Sequence, residues 1–287
     1  MSVEGVFQYL SDTLATEVVS HQRVGGGDFA ESVCVVLADG RKLFVKTHVN
    51  PPPYFFSTEA QGLQWLRDTG TVNIPEVILV SDDPPLLALQ WVEQGRASSE
   101  GSERELGRGL AALHQQTFDC FGRPDERTTG SLAVPNQPTA DWISFYSSCR
   151  LQPLAKIAAS RGSLPASDIN RIERLAESLS QFDNDDVQAS LLHGDLWAGN
   201  RLVDTEGRSW LIDPAAHGGH REFDLAMMRL FGGYGDACFD AYNEAYPLVA
   251  GWQLRIPLHQ MAPLIVHAIK FGGGYVGSVA DALDRLL

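Results

Sequence analysis

The chain has 287 residues and a formal net charge of −14, from 22 Lys and Arg against 36 Asp and Glu. Hydrophobic residues at 44% and charged residues at 20% are the proportions of a globular chain able to bury a sizeable core, which argues against wholesale disorder. The acidic balance disfavours contact with a nucleic-acid backbone or an anionic lipid surface, since both need a surplus of Lys and Arg, and points to a small substrate. No run approaches the roughly 20 apolar residues of a membrane span, and the first 20 residues hold no Lys or Arg, so no targeting segment is expected. Cys34, Cys120, Cys149 and Cys238 are scattered without a C-x-x-C, so neither a zinc site nor a disulfide framework is indicated and the expected location is cytoplasmic.

Val3, Val6, Phe7, Leu10, Leu14 and Val18 recur at helical spacing and predict an amphipathic opening helix. After Gly25-Gly26-Gly27, two apolar β-branched runs at 32–37 and 43–47 flank Asp39-Gly40, a strong hairpin signal. A helix is expected from near Ser57, with Ser57 as its cap, Glu59 in its first turn and Ala60, Leu63 and Leu66 on one face. Pro75 separates it from a run at 76–81, and the turn at 82–85 introduces another at 86–92. The order helix, strand, strand, helix, strand, strand describes an α+β lobe. Small polar residues at 94–99 read as a hinge, so the lobes are expected to be residues 1–93 and 94–287.

In the second part Leu106, Leu110 and Leu113 define a helix, and 118–139 is a long loop rich in Gly, Pro and Thr. Helices are expected at 140–160 and 167–182, then short strands at 190–195, 200–203 and 209–213 that end in polar residues. No internal repeat or low-complexity tract is present.

Those strand ends carry the chemistry. Asp195 and Asn200 are five apart in His193-Gly194-Asp195-Leu196-Trp197-Ala198-Gly199-Asn200, and Asp213 follows after a hairpin. Phosphoryl transfer needs a carboxylate to accept a hydroxyl proton and oxygen ligands for Mg²⁺ at the nucleotide phosphates, and this segment offers both. The spacing matches the protein-kinase pattern H-R-D-x-x-x-x-N, with Gly194 in place of its Arg and Asp213-Pro214 in place of D-F-G.

With these replacements the sequence resembles the kinase-like small-molecule phosphotransferases, the aminoglycoside phosphotransferase and choline kinase superfamily. Leu191-Leu192 ahead of the motif, Trp197 within it, Ile212-Asp213-Pro214-Ala215, Arg221-Glu222-Phe223-Asp224-Leu225-Ala226-Met227 and Phe271-Gly272-Gly273-Gly274-Tyr275 narrow the resemblance to the fructosamine kinase (ketosamine 3-kinase) family. Gly26-Gly27-Asp28, Leu43-Phe44-Val45-Lys46 and Thr58-Glu59-Ala60-Gln61-Gly62-Leu63 occur in the matching order, so it covers nearly the whole chain.

The resemblance implies a two-lobed α+β fold of the protein-kinase and aminoglycoside phosphotransferase type, with a small β-rich nucleotide-binding lobe and a larger, mainly helical catalytic and substrate-binding lobe. It implies ATP and Mg²⁺ as cofactors and transfer of the γ-phosphate to the sugar 3-hydroxyl of a ketosamine, free or on a glycated protein amine, which would make the chain a deglycation enzyme. Residue by residue, Asp195 would be the base and Asn200 and Asp213 the metal ligands. Lys46, aimed by Glu59, would hold the α- and β-phosphates, Gly26 and Gly27 would let backbone amides approach them, and the backbone from Gln90 to Val92 would meet adenine. Trp197, His217 and His267 are the acceptor-side candidates, His217 in a turn near the substrate mouth; His193 and Asp224 are structural ones, Asp224 bracing the catalytic loop.

The loop 126–131 keeps Gly130-Ser131 but lacks the aromatic-isoleucine pair expected before it, and Val266 and Ile269 stand where asparagines flanking His267 are common. Acceptor identity is what these departures leave open. Two other readings are an aminoglycoside, choline or homoserine-type phosphotransferase on the same fold and a catalytically dead nucleotide binder; Lys46, Asp195, Asn200 and Asp213 are all present, against the second.

Overall fold

The computed structural model describes residues 3–25, 30–95, 98–182 and 187–287, so Gly26 and Gly27 lie outside the described residues. Helix α1 (Val3–Leu14) opens the chain. Strands β1 (Val18–Arg23), β2 (Glu31–Leu37) and β3 (Lys42–Thr47), helix α2 (Phe55–Asp68), and strands β4 (Val77–Asp82) and β5 (Pro85–Gln90) follow. The five strands form one antiparallel sheet in the order β1-β2-β3-β5-β4.

Period-two alternation explains its layers. Along β5, Leu86 and Ala88 join Val33, Val35, Val45 and the α1 residues Val6 and Leu10, whereas Leu87 and Leu89 join Phe56, Leu63 and Leu66 of α2. Because both faces are covered, β5 reads as an unbroken apolar run. Gly40 has φ 87°, a conformation strained for residues with a Cβ, in the turn where Leu37 N donates to Arg41 O and Gly40 N to Leu37 O.

Two expectations fail here. Val18 belongs to β1 rather than the opening helix; β1 is an edge strand exposed along most of its length, so no alternation marks it. Ser57 does not cap α2: the helix starts at Phe55 after Tyr54, whose φ is 60°, and the Ser57 hydroxyl donates to Asp82 Oδ2 at 2.8 Å.

The second lobe begins with α3 (Glu100–His114), capped by Ser99, whose hydroxyl accepts from Ser102 N at 3.1 Å. The loop to residue 141 is tied to its surroundings by isolated bridges, among them Phe121 with Thr139 and Gly122 with Gly218. Where one helix is expected at 140–160, α4 (Trp142–Tyr146) and α5 (Gln152–Arg161) are joined by a π turn at Ser147–Leu151 that buries Cys149, Arg150 and Leu151. Then come α6 (Ala166–Glu177), β6 (Ser190–Leu192), β7 (Arg201–Val203), β8 (Ser209–Leu211) and β9 (His217–Gly219). Helices α7 (Glu222–Phe231), α8 (Asp236–Ala245), α9 (Trp252–Phe271) and α10 (Gly274–Leu286) complete the chain.

Strands pair as β6 with β9 and β7 with β8, both antiparallel. One apolar core fills the space among α4, α5, α6, α9 and α10. A second is continuous from the sheet into the helical lobe, with Leu63, Leu66 and Leu89 in the same cluster as Leu110, Leu191, Leu211 and Leu225. That cluster fixes α2 against the strands of the second lobe; a Cβ at Gly62 would sit 3.0 Å from the Cβ of Ala216. Among the described residues no helix is long and apolar enough to cross a membrane.

Candidate active site

The site is built on the loop after β6. Asp224, fully buried at the start of α7, accepts from the backbone N–H groups of His193 at 2.8 Å and Gly194 at 2.9 Å, and its carboxylate also meets His114 Nε2 at 3.3 Å. These partners outweigh burial and keep its pKa below the usual value. Gly194 has φ 79°, and a Cβ there would lie 2.2 Å from Ala215 O, so only glycine fits. His193 Nε2 donates to Ile212 O at 3.0 Å while Nδ1 accepts from Asp195 N at 3.3 Å. Burial lowers its pKa, which suits a neutral ring with one donor and one acceptor.

A short 3₁₀ turn at Ala198–Asn200 folds Asn200 back onto the loop. Its amide nitrogen donates to Asp195 O at 2.8 Å, Asp195 Oδ2 at 3.1 Å and Asp213 O at 3.4 Å. The β7–β8 hairpin then returns the chain, and Ile212 N donates to Asn200 O at 3.0 Å. Asp213 follows with φ 55°, a conformation uncommon outside glycine. Lys46 Nζ lies 2.5 Å from its Oδ1 and 2.8 Å from Glu59 Oε1.

The charges follow from these contacts. Burial works against the Lys46 ammonium, but the Glu59 and Asp213 carboxylates outweigh it and hold the pKa above the ordinary lysine range. Glu59 is raised, because burial exceeds the pull of Lys46 and the Asp213 charge adds to it. Burial pushes Asp195 up to about 7; the hydrogen bond from Asn200 opposes this, Asp213 adds to it and Lys270 opposes it. A carboxyl tuned near neutrality, beside oxygen donors and a buried ammonium, can accept a proton from a hydroxyl.

Lys46, Glu59, Asp195, Asn200 and Asp213 all line one cleft of about 700 Å³. Phe44, Leu89 and Val92 from the sheet side, with Leu202 and Ile212 from the β7–β8 hairpin, give it apolar walls, and Gly25 and Gln90 also line it. Gln90 N donates to Glu76 O at 2.9 Å, which fixes the strand end that leads into the connection between the lobes. Trp197, 39% exposed, lines the cleft and meets Phe231 edge to face at 5.9 Å. Thr128, Thr129 and Ser131 of the long loop add hydroxyl groups.

Two acceptor-side candidates are not in the cleft lining. His217 is buried in β9 rather than in a turn at the mouth; its Nδ1 donates to Ala215 O at 2.8 Å and burial pushes its pKa down to about 3. The glycines that suggested a turn serve close packing instead, since a Cβ at Gly218 would fall 1.9 Å from Cys120 O and one at Gly219 2.4 Å from Leu192 Cδ1. His267, on α9, donates from Nδ1 to Pro263 O at 2.8 Å and packs among Phe231, Phe271 and Tyr275. Lys270, three residues further along α9, lines the cleft in its place. The sequence reading missed it, although helical spacing from His267 was the available signal.

Residues 3–287 match the family model described as fructosamine kinase. A probable ketoamine kinase of Enterococcus faecium is 34% identical over 265 residues, 91% of this chain and 93% of that protein. The chloroplastic protein-ribulosamine 3-kinase of Arabidopsis thaliana is 31% identical over 288 residues, 97% of this chain and 86% of that protein. A crystal structure named as a fructosamine-3-kinase of Thermobifida fusca is similar with a TM-score of 0.92 and 36% identity, over 99% of each chain. An ADP-bound aminoglycoside phosphotransferase, 15% identical, shares the fold with a TM-score of 0.65 over 99% of this chain and 98% of that one. The architecture is therefore the two-lobed α+β fold of the kinase-like phosphotransferases.

Proposed function

The chain belongs to the fructosamine kinase family, and we propose that it transfers the γ-phosphate of ATP to the 3-hydroxyl of a ketosamine such as a fructosamine or ribulosamine. The observation that carries this reading is the convergence of Lys46, Glu59, Asp195, Asn200 and Asp213 on one cleft. Residues 1–93 would supply the nucleotide side and 94–287 the catalytic and acceptor side, with adenine between the apolar walls and against the backbone of Gln90 to Val92.

Asp195 accepts the proton of the attacking hydroxyl. Its carboxylate is oriented by Asn200, its backbone N–H donates to His193 Nδ1, and Asp224 braces the preceding N–H groups of His193 and Gly194, so the base is held in place before the acceptor arrives. Lys46, kept charged by two carboxylates, contacts the nucleotide phosphates. The donor set fits Mg²⁺: Asp213 offers a carboxylate, and Asn200, whose nitrogen is committed to Asp195 and Asp213, offers its amide oxygen, both hard ligands. When bound, the cation supplies charge that neutralises phosphate oxygens. Trp197 walls the acceptor region.

Phosphate on C3 lies next to the C2 carbonyl. Loss of a C1 proton gives the enaminol, phosphate leaves from C3, and addition of water releases the amine and a deoxy-dicarbonyl sugar, which accounts for a deglycating outcome without a second enzyme.

A coupled assay of ADP release against ketosamine, aminoglycoside, choline and homoserine acceptors tests the reading, with NMR to place the phosphate. Turnover confined to ketosamines with phosphate on C3 is expected. Turnover on another class with none on ketosamines overturns it.

A further inference from the structure

Apart from Lys46, Lys270 is the one cation among the described residues that line the cleft, whereas Glu59, Asp195 and Asp213 line it as acids. Lys46 is held by two carboxylates. Lys270 is exposed, and among the described residues no carboxylate lies within ion-pair distance of it; its recorded contact is with the ring of Phe271, 5.9 Å from the ammonium. Its position in the last turn of α9 gives a favourable interaction with the helix C-terminus, as any cation there would have. That interaction does not explain a cation that lines the same cleft as Asp195 and Trp197.

The atom to be phosphorylated has to sit at Asp195, so a cation elsewhere in the same cleft meets another part of the acceptor. A ketosamine carries a secondary ammonium in that region, which a second cation repels. The exposed indole of Trp197 can take the ammonium on its face. Lys270 then requires an opposite charge.

We propose that Lys270 recognises an anionic group on the acceptor, so that the preferred ketosamines carry a carboxylate or a phosphate near the sugar-amine junction or at the far end of the sugar. The proposal rests on the ketosamine reading above and deepens it: adducts of free α-amino acids, or of phosphorylated sugars, are favoured over those of neutral amines.

The test measures kcat/KM at saturating MgATP for three ketosamine acceptors: the N-(1-deoxyfructosyl) derivatives of glycine and of glycinamide, and the sugar 6-phosphate of the glycinamide derivative. Wild type should favour at least one anionic acceptor over the neutral adduct by about five- to tenfold, through the acceptor KM, and which one identifies the anion as carboxylate or phosphate. Lys270→Met, which keeps the aliphatic stem, should bring the ratio towards one, and Lys270→Glu should invert it. A wild type that treats all three alike, or a Lys270→Met variant that loses all three equally or shows the change in the KM for ATP, overturns the proposal. If wild type phosphorylates none of the three, nor the fructose adduct of Nα-acetyl-lysine, the ketosamine reading itself falls and the proposal with it.

Discussion

Lys46 and Asp213, 167 positions apart in the chain, meet at 2.5 Å in the cleft. The ammonium therefore sits on the carboxylate proposed as a ligand for the cation, and the residues proposed for phosphate and metal already meet in the cleft.

Asp213→Asn should lower kcat/KM by at least about 10²-fold and raise the Mg²⁺ concentration for half-maximal rate, since an amide is a weaker ligand for a hard cation and cannot pair with Lys46. Asn200→Ala should act in the same direction. Titration of the rate with Mg²⁺ at saturating ATP checks this; titration curves that overlay the wild type would remove both residues from the metal assignment.

Asp224 is fully buried and is the acceptor for His193 N and Gly194 N. Asp224→Ala should strand both donors and His114, and destabilise the fold by about 3 kcal/mol or more. Asp224→Asn keeps the shape and one oxygen and should lose less. Urea midpoints report the difference, and an unshifted midpoint for Asp224→Ala would show that the brace adds nothing.

Acid should destabilise the chain well above the carboxylate range. Burial lowers His217 to about 3 and, with the His259 ring beside it, lowers His220 well below its ordinary 6.5. Around His220 lie His259, Glu222, Arg255 and Arg221; around His217 lie Arg150, Arg123 and Asp224. Above pH 6.5 both rings are neutral folded or unfolded. Below it the unfolded chain binds protons that the folded one excludes, so stability falls as the pH falls, by up to about 1.4 kcal/mol per unit for each ring. Glu222, held at about 2 against burial by His259 and Arg255, adds a further loss below pH 4.5. Burial lowers His193 in the same direction, whereas Asp195, raised to about 7, and Glu59, also raised, take up protons on folding and offset part of the loss. Urea midpoints declining from pH 6.5 to 5 are expected for Asp195→Asn, where the Asp195 offset is absent, and a flat profile to pH 5 in that variant would contradict it.

The β-rich first part of the chain and the loop and hairpin that carry Asp195, Asn200 and Asp213 were legible in the sequence because their signals are local. Asp195, Asn200 and Asp213 stand at spacings dictated by one loop and one hairpin, and β5 reads as an apolar run because both its faces are covered. Where the deciding contact is distant, the reading failed. The glycines after His217 follow from the approach of Cys120 and Leu192, which no local pattern announces, although a Gly-Gly pair by itself reads as a turn. Strand β1 lies exposed at the sheet edge and carries no alternation. Lys270 is a single lysine at a helix end, and only the packing of α9 turns it towards the cleft.

The central claim is that Asp195 takes the proton of a ketosamine hydroxyl in this cleft, and Asp195→Asn tests it most directly, because the side chain keeps its shape and loses its basicity. Turnover on fructoselysine and nucleotide Kd should be measured on the same preparation. The account predicts a fall in kcat of at least about 10²-fold with ATP binding nearly unchanged, and residual turnover from positioning by Lys46 and the cation. An unaltered kcat would remove Asp195 from the chemistry, and loss of ATP binding would make it a structural or metal-binding residue instead.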